Sequence, residues 1–470
     1  MPFPPAASRR PIACRLLCGM LLLAAVAPAV GAQARPDSAR RDSARTDSAR
    51  VAPETVDSLL ARLERAESAI ALLREQVATE SQSTVHTRSR VSVDLSARVL
   101  TNVAYTRGGA NDPSVPQSAS VPGASGDPFF GVSLRQTRFG AAVSVRDVLG
   151  ATFVGDVDAD LFGGGRDANG NRPLFPEPRL RTARGQLQWP RTTVLVGSET
   201  PLISDLDPLS LASIGVTQFS GSGDLWNWLG QVRVTQQLGG RGVRWAVQGA
   251  VLEPFSSVAY DPARPGGDGG ERSGRPFLEG RLRARWGAED PDAPGGDVRD
   301  AVTGEGPSEI GVGVHRGWIT GDGEQRFVSS AASLDVRIVL APRVELRGEA
   351  YRGQGLLGLG GGAIGQTFGR PVTTGGVTPA FGPLLHDAAG WAQLNVRPNE
   401  RWLGGVGCGI DRVRDADRPD RRQNTVCAAH VRWTPVQPLL FGLEYKRMST
   451  LYPTGMSHAD HINLAIGFEM

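Results

Sequence analysis

The sequence predicts an all-β fold, a transmembrane antiparallel β-barrel of about 16 strands preceded by a short coiled-coil helix. From residue 88 onward, about sixteen segments alternate apolar and polar residues with a period of two, which is typical of strands with one apolar face. The last of them, HINLAIGFEM, places Ile462, Leu464, Ile466, Phe468 and Met470 on one face. The links between segments are alternately short and long, as in outer-membrane barrels.

Tryptophan positions give an independent indication of the same fold. Trp189, Trp245, Trp402 and Trp433 lie within a few residues of short links, and Trp286 lies beside the link at residues 288–307, which we expect on the same side. Aromatic residues form girdles where a membrane barrel meets the lipid headgroups, so we expect the short links to share one side, the periplasmic side. A soluble β-sandwich or β-helix is the alternative fold, and it gives no reason for this clustering.

The long links are expected on the external side. They span residues 107–127, 163–178, 200–225, 255–275, 355–387, 412–422 and 449–459. Two links depart from the alternation, because GDGEQ is a short external link and residues 288–307 form a long periplasmic one. Within FFGVSLRQTRFGAAVSV, the apolar positions change from even to odd near Arg135 to Arg138, which predicts a β-bulge.

The residues before the barrel divide into three predicted segments. Residues 1–34 have the arginines, the apolar run LLCGMLLLAAVAPAV and the Ala-Gln-Ala cleavage pattern of a secretory signal peptide. Residues 35–53 contain three copies of Asp-Ser-Ala-Arg and predict a polar linker. Residues 54–80 space apolar residues three and four apart, which predicts a coiled coil; a single amphipathic helix packed on the barrel mouth is the alternative. The barrel then occupies residues 88–470.

Charge and apolar content exclude two classes of protein. The chain has 51 Lys and Arg against 48 Asp and Glu, and removal of residues 1–34 takes away three arginines and no acids. The mature chain is therefore balanced, which argues against a nucleic-acid-binding protein. After the signal peptide no run of about 18 apolar residues occurs, so the sequence predicts no membrane-spanning helix.

Acidic side chains with a period of two are expected to face the barrel lumen. Asp156, Asp158 and Asp160 share the polar face of one strand, and three like charges so close together need cations opposite them. The D-x-D-x-D run also suggests a calcium loop, but Leu161 stands where the sharp turn needs glycine. The candidate partners lie on the next antiparallel strand and are Arg179, Arg181 and Arg184.

A second charged row consists of Arg281, Arg283 and Arg285. These arginines alternate with Leu282 and Ala284, so all three guanidinium groups should project into the lumen. Arginine suits a pore for anions because its fixed fork binds carboxylates bidentately and stays charged. Two interpretations remain open: the arginines set a preference for anions, or they form ion pairs in the wall without effect on selectivity.

Several stretches together carry a resemblance to a known family. They are the signal peptide, the short coiled coil, LRQTRFG, GDVDADLFGG, PRLRTARGQL and VLVGSETPLISDLDPLSLASIG. With these features the chain resembles the DcaP-like trimeric porins of Gram-negative outer membranes. The resemblance implies a sixteen-stranded homotrimer in the outer membrane, with its coiled coil in the periplasm, that passes small anionic solutes such as dicarboxylates. Met470 departs from the family pattern, in which the barrel commonly ends on Phe.

The resemblance also bears on residues 200–225, which are apolar for an exposed loop. In trimeric porins the third external loop typically folds into the barrel and narrows it. The same arrangement here would bring Asp205 and Asp207 near the arginines of the wall.

The mature chain keeps two cysteines, Cys408 and Cys427. They lie at equal distances from the centre of the link between two strands that we pair directly, and both fall on apolar faces. In an oxidising periplasm this placement predicts a cross-strand disulfide.

Three functions compete at this stage. The leading hypothesis is a passive channel for small hydrophilic, anionic solutes, surrounded by outer-membrane lipid and working without cofactor or metal. The alternative is a non-conducting barrel that anchors periplasmic partners through its coiled coil. An enzyme would need a nucleophile, a base and an orienting group in one site, and the sequence shows no such set, so we expect no enzymatic activity.

Overall fold

The structure is a computed structural model of the chain. It describes residues 84–86, 91–163, 176–240, 242–258, 267–287, 302–321 and 325–470. The predicted signal peptide (1–34), linker (35–53) and coiled coil (54–80) lie outside these residues. Within the described ranges, no helix is long and apolar enough to cross a membrane.

Strands make up most of the described chain. They are β1 (Thr84–His86), β2 (Val91–Arg107), β3 (Phe129–Ser133), β4 (Arg138–Val148), β5 (Ala151–Asp160), β6 (Arg179–Gln188), β7 (Thr192–Glu199), β8 (Leu229–Gly239), β9 (Val243–Leu252), β10 (Phe277–Trp286), β11 (Ser308–Thr320), β12 (Arg326–Ala341), β13 (Val344–Gln354), β14 (His386–Asn399), β15 (Trp402–Val413), β16 (Gln423–Trp433), β17 (Leu439–Tyr452) and β18 (Gly455–Glu469). Short helical turns occur in the links, at Glu271–Ser273, Leu357–Leu359, Gly362–Gly365 and Asp415–Asp417.

Strands β2 to β18 close into an antiparallel barrel. The strand β18 pairs with β2 from Asp460↔Arg107 to Glu469↔Arg98, which joins the two ends of the sheet. Both β3 and β4 pair with β2 and share one position in the sheet. The barrel therefore has 16 strand positions, as the sequence predicts.

The break between β3 and β4 is the predicted change of register. Asn102 of β2 pairs with Ser133, and Arg98 pairs with Arg138, so four residues (134–137) stand opposite three (99–101). One extra residue moves the outward-facing set from even to odd positions, because side chains in a strand alternate between faces. The outward residues are accordingly Phe130 and Val132 before the break, and Phe139 after it.

Apolar side chains face outward and polar side chains face inward. On β18, Ile462 and Ile466 are 46% and 41% exposed, whereas Asn463 and Ala465 are 2% and 0% exposed. An isolated chain in water would not present its apolar side chains this way, but a barrel surrounded by lipid does. The alternation that runs through HINLAIGFEM is thus the alternation between the outer and inner walls.

The two ends of the barrel differ in the length of their links. We name the end with the β4–β5, β6–β7, β8–β9, β12–β13, β14–β15 and β16–β17 turns the turn end, and the opposite end the loop end. The link between β10 and β11 at the turn end is long, as predicted. Trp402 and Trp433 stack on the outer wall at the turn end, with ring centroids 5.6 Å apart, which fits an aromatic girdle.

One predicted external loop is wrong. Residues 449–459 do not form a long loop, because β17 and β18 continue to a tight hairpin in which Tyr452 pairs with Gly455. Both strands extend beyond the apolar part of the wall here, so both of their faces carry polar residues, such as Thr450 on the inner face and Ser449 on the outer face. The alternation is lost where the strands continue, and polarity alone then resembles a loop.

Candidate pore

The third link at the loop end, residues 200–228, lies inside the barrel, and we name it the inner loop. Leu202, Phe219 and Leu225 of this loop are at most 1% exposed. Phe219 stacks on Trp391 of β14, with ring centroids 5.7 Å apart. A loop that buries such side chains against the inner wall narrows the lumen.

The first half of the inner loop is held by two buried glutamates of the far wall. Glu279 on β10 accepts a hydrogen bond from the Leu202 N–H at 2.5 Å. Glu349 on β13 accepts bonds from the Ser204 hydroxyl at 2.6 Å and from the Leu206 N–H at 2.7 Å. These three hydrogen bonds tie residues 202–206 to β10 and β13, so the two glutamates fix the path of the loop across the lumen.

The second half of the inner loop is held by Glu444 on β17. Its carboxylate accepts hydrogen bonds from the hydroxyl groups of Ser210 and Ser213 and from the amide of Gln218, the last at 2.8 Å. Lys446 lies 3.5 Å from the same carboxylate and balances its charge. Glu444 therefore anchors the segment 210–218 near both of its ends and at Ser213.

The break between β3 and β4 supplies a further anchor, Gln136. Its carbonyl oxygen accepts bonds from the N–H groups of Ile214 at 2.9 Å and Gly215 at 2.5 Å, and its amide donates to the Ala212 carbonyl at 3.1 Å. The extra residue in this strand thus turns a glutamine toward the lumen, where it pairs with three backbone groups of the inner loop.

The three predicted aspartates of β5 face the lumen and are paired with arginines. Asp156 and Arg184 are direct cross-strand partners, with Nε and Oδ1 2.8 Å apart. Asp158 contacts Arg138 at 2.8 Å and Arg181 at 3.0 Å. The third, Asp160, contacts Arg179 at 2.5 Å and Arg181 at 3.2 Å. Within the described part of the chain, no three His, Cys, Asp or Glu side chains are arranged to hold a metal ion.

A second irregularity explains how Arg181 and Arg184 both face the lumen although they are three residues apart. Asp158 pairs with Thr182 and Ala159 pairs with Leu180, so Arg181 is an extra residue on β6. The bulge exchanges the inward and outward faces at this point. Strict alternation along β6 would have placed one of the two arginines on the outer wall.

The second predicted row is bound into ion pairs beneath the inner loop. Arg281 contacts Asp205 of the inner loop at 3.0 Å, Glu309 of β11 at 2.6 Å and Asp335 of β12, and its side chain is 0% exposed. The neighbouring Arg285 pairs with Glu309, and Arg283 lies 4.0 Å from the same carboxylate. Because the inner loop covers it, Arg281 is a loop anchor rather than a pore-lining residue, which corrects that part of the prediction.

A cavity of about 460 Å³ remains between the inner loop and the turn end. Its lining includes one of the two predicted loop aspartates, Asp207, together with Glu400, whereas Asp205 is turned away toward Arg281. The cationic lining is much larger and consists of seven arginines: Arg98, Arg138, Arg181, Arg347, Arg397, Arg401 and Arg432. Of these seven, only Arg181 was among the predicted site residues.

The cavity arginines come from single inward positions on separate strands and turns, which is why a search for charged rows misses them. Arg98, for example, stands among Leu100, Asn102 and Ala104 on the inner face of β2. The barrel topology brings it near Arg432 of β16, because both contact Glu469 of β18. The alternation along each strand predicts that these arginines face inward. It does not predict that side chains from separate strands converge on one cavity.

Cys408 and Cys427 are direct partners across β15 and β16. Their Sγ atoms are bonded, and their Cα atoms are 4.1 Å apart. Both side chains lie on the outer face, in the same rows as Val406 and Val431. The bridge therefore lies in the wall, away from the cavity.

Comparison with known proteins rests on the fold. No protein-family model and no curated protein gives a significant match to the chain. Among solved structures, the outer membrane channel DcaP of Acinetobacter baumannii is 12% identical, with 83% of this chain and 100% of that chain covered and a TM-score of 0.58. An anion-selective porin from Comamonas acidovorans is 11% identical, covering 81% and 99%, with a TM-score of 0.49. OmpF of Salmonella typhi, solved with daunomycin, is 9% identical, covering 82% and 100%, with a TM-score of 0.48.

Of these three likenesses, the first supports an argument about the fold. The chain and DcaP share a barrel over the whole length of the DcaP chain, while their sequences have little identity. The resemblance predicted from the sequence is therefore confirmed for the fold, and this chain has the barrel fold of the outer membrane channel DcaP.

Proposed function

We propose that the protein is an outer-membrane channel that passes small hydrophilic solutes and prefers anions of the carboxylate type. The observation that carries the proposal is the cavity below the inner loop, where seven arginines and two acidic residues line about 460 Å³. Arginine binds carboxylates bidentately, so this lining favours a small carboxylate over a cation of equal size.

Ion pairing does not remove this preference. Several cavity arginines contact carboxylates, such as Asp158 beside Arg138 and Glu469 beside Arg98. A guanidinium group has five N–H donors, however, and a carboxylate occupies only one or two of them. Within the described ranges Arg401 makes no ion pair, and it is exposed at the turn end. Its whole charge is available to a passing anion.

Transport in this proposal needs no covalent chemistry, because pore width and wall charge suffice. The inner loop sets the width, since its anchors on β10, β13 and β17 hold it across the lumen. In this proposal the barrel lies in the outer membrane with lipid around its outer wall, and the amino-terminal segment lies in the periplasm. Three copies form a homotrimer through the wall and the coiled coil. Cross-linking of the full mature chain in membranes tests the trimer.

Single-channel recording of the purified, refolded protein in a planar bilayer tests the function. Under a salt gradient we expect discrete current steps and a reversal potential that indicates anion selectivity. Absence of steps from protein shown to be folded and inserted would contradict the channel and favour the non-conducting anchor. A cation-selective reversal would keep the channel and contradict the role given to the arginines.

Two neighbouring residues of one turn provide matched variants. Arg401→Gln removes a positive charge from the cavity, and Glu400→Gln removes a negative charge one residue away. We expect the reversal potential to move toward cation selectivity in the first variant and toward anion selectivity in the second. At a separation of about 5 Å in water, a unit charge changes the energy of an ion by about 1 kcal/mol, so each shift corresponds to a change of about fivefold in ion preference. Shifts in the same direction would contradict an electrostatic origin.

A further inference from the structure

Five arginines stand on the outer wall near the loop end, and we name them the arginine row. They are Arg107, Arg316, Arg352, Arg412 and Arg447, and all five are exposed. They occur on β2, β11, β13, β15 and β17, strands that all run from the turn end to the loop end. Most of the outer wall is apolar, so these exposed charges require an explanation.

The strand positions place the row at one height on the barrel. Arg316, Arg352 and Arg447 each stand eight residues beyond the first residue of their strands, and Arg412 stands ten beyond the first residue of its strand. Arg107 stands nine residues beyond the β2 residue that pairs with Glu469. At about 3.3 Å per residue and a tilt of about 40°, these positions lie about 20 to 25 Å from the turn end. An apolar band of a membrane barrel is about 25 Å tall, so the row lies at its upper edge.

The outward neighbours support this position. Two residues before each arginine, on the same face, stand Tyr105, Val314, Ala350, Ile410 and Tyr445. Each arginine is therefore the first charged outward side chain that its strand reaches on leaving the apolar band. This is the height at which lipid headgroups meet the barrel.

The row lacks matching carboxylates. In the described part of the chain, four of its members make no ion pair, and only Arg447 contacts an acid, Asp460, at 3.4 Å. That carboxylate also accepts a bond from the Tyr445 hydroxyl. Asp460 is also the direct cross-strand partner of Arg107, so this one carboxylate lies between two members of the row. The row of five arginines therefore keeps an excess of positive charge.

The row covers one sector of the barrel only. Strands β5, β7 and β9 also run from the turn end to the loop end, but their outer faces carry Val157, Val196 and Val251, and β9 is followed by the exposed Glu253. A general need for cations at the membrane boundary would place arginines all around the wall. Restriction to β11–β18 and β2 indicates a surface built for a particular anionic partner.

We propose that the arginine row binds the phosphate groups of lipid headgroups in the leaflet at the loop end. A guanidinium group donates two parallel hydrogen bonds to a phosphate, and successive members from β11 to β17 are two strands, or about 10 Å, apart across the sheet. One lipid with two phosphates can therefore contact more than one arginine. The proposal rests on the proposed function only in requiring that the barrel spans a bilayer.

The test compares lipid binding by the wild type and by the triple variant Arg316→Gln/Arg352→Gln/Arg412→Gln, which removes adjacent members without ion pairs. The probe is lipid A with two phosphates, titrated into the protein in a non-ionic detergent and followed by native mass spectrometry. Each arginine near a lipid surface contributes about a fivefold effect, so the triple variant should bind about a hundredfold more weakly. Phosphatidylcholine carries a phosphate whose charge is balanced by its own choline group, so it should bind equally to both proteins. Inorganic phosphate at equal concentration should not displace lipid A.

The matched control is Arg146→Gln/Arg191→Gln/Arg370→Gln, which removes three exposed arginines outside the row. It should bind lipid A like the wild type, and Arg316→Lys/Arg352→Lys/Arg412→Lys should keep most of the binding. Equal binding by the wild type and the glutamine variant would overturn the proposal, as would equal loss in the control. Conductance in phosphatidylcholine bilayers should be the same for all variants. A wild type that binds lipid A without conducting would contradict the channel alone.

Discussion

Replacement of Glu444 by glutamine should release the centre of the inner loop and raise conductance. The glutamate accepts three hydrogen bonds from loop side chains, at the hydroxyl groups of Ser210 and Ser213 and the amide of Gln218. Bonds to a charged acceptor contribute about 1.5 to 3 kcal/mol each, and neutral ones about 0.5 to 1.5 kcal/mol. A glutamine keeps one acceptor oxygen and serves at most two of the three donors. The difference is about 3 to 6 kcal/mol of attachment between loop and wall.

A loss of that size changes the ratio of attached to released loop by two orders of magnitude or more. Lys446 adds to the effect, because its partner disappears and it gains hydration when the loop leaves. Glu279 and Glu349 still hold residues 202–206, so release should be confined to residues 210–218, where Gln136 remains as a weaker, neutral anchor. Single-channel records of Glu444→Gln should therefore show a more conducting state whose occupancy is about a hundred times that in the wild type.

The control is Glu345→Gln on β13. This glutamate is also inward-facing and buried, but it pairs with Arg337 and Arg347 rather than with the inner loop. Its removal should leave the occupancy of the more conducting state unchanged. Heat-modifiable migration on gels verifies that both variants are folded. A conductance histogram for Glu444→Gln identical to that of the wild type would refute the reasoning, and so would an equal change in Glu345→Gln.

Two further predictions concern stability and pH. The Cys408–Cys427 bridge joins residues 19 positions apart. Replacement of both cysteines by serine should lower the free energy of unfolding by about 3 kcal/mol in denaturant titrations. Two free thiols in unreduced, denatured wild-type protein would contradict the bridge. Burial, together with the charge of Asp207, raises the pKa of the Asp224 carboxyl in the inner loop well above its ordinary value. The stabilisation by this neutral carboxyl is therefore complete below about pH 4 and is lost as the pH rises through the raised pKa. Released-loop openings should become more frequent with rising pH, and the variant Asp224→Asn should show a weaker dependence than the wild type.

The barrel could be predicted from the sequence because its signals are local. Alternation along β18, tryptophans beside short turns and the change of face near Arg135 all follow from side-chain direction within a few residues. The hairpin at Tyr452 was missed because polar residues occupy both faces where β17 and β18 extend beyond the apolar band. At that point the local signal no longer distinguishes strand from loop.

The pore could be predicted only in part, because its contacts join distant strands. The ion pairs between β5 and β6 could be predicted, because consecutive antiparallel strands are neighbours in the sheet. The partners of Arg281 were not, because Asp205, Glu309 and Asp335 lie on three other elements. Glu444 is one of several polar residues on β17, and Gln136 lies in the break between β3 and β4. Nothing in the sequence around either residue distinguishes an anchor from any other inward side chain.

The inner loop has a consequence for the order of folding. Its residues precede all of the strands from β8 onward, yet its anchors on β10, β13 and β17 follow it by 77 to 234 residues. Contacts between segments so far apart form slowly, because the chain must first pay the entropy of closing the intervening segments. The loop must therefore wait until the wall around it has assembled. We therefore expect a late folding intermediate in which the wall is closed and the inner loop has not yet docked. The lumen of this intermediate is wider and more hydrated than that of the native protein.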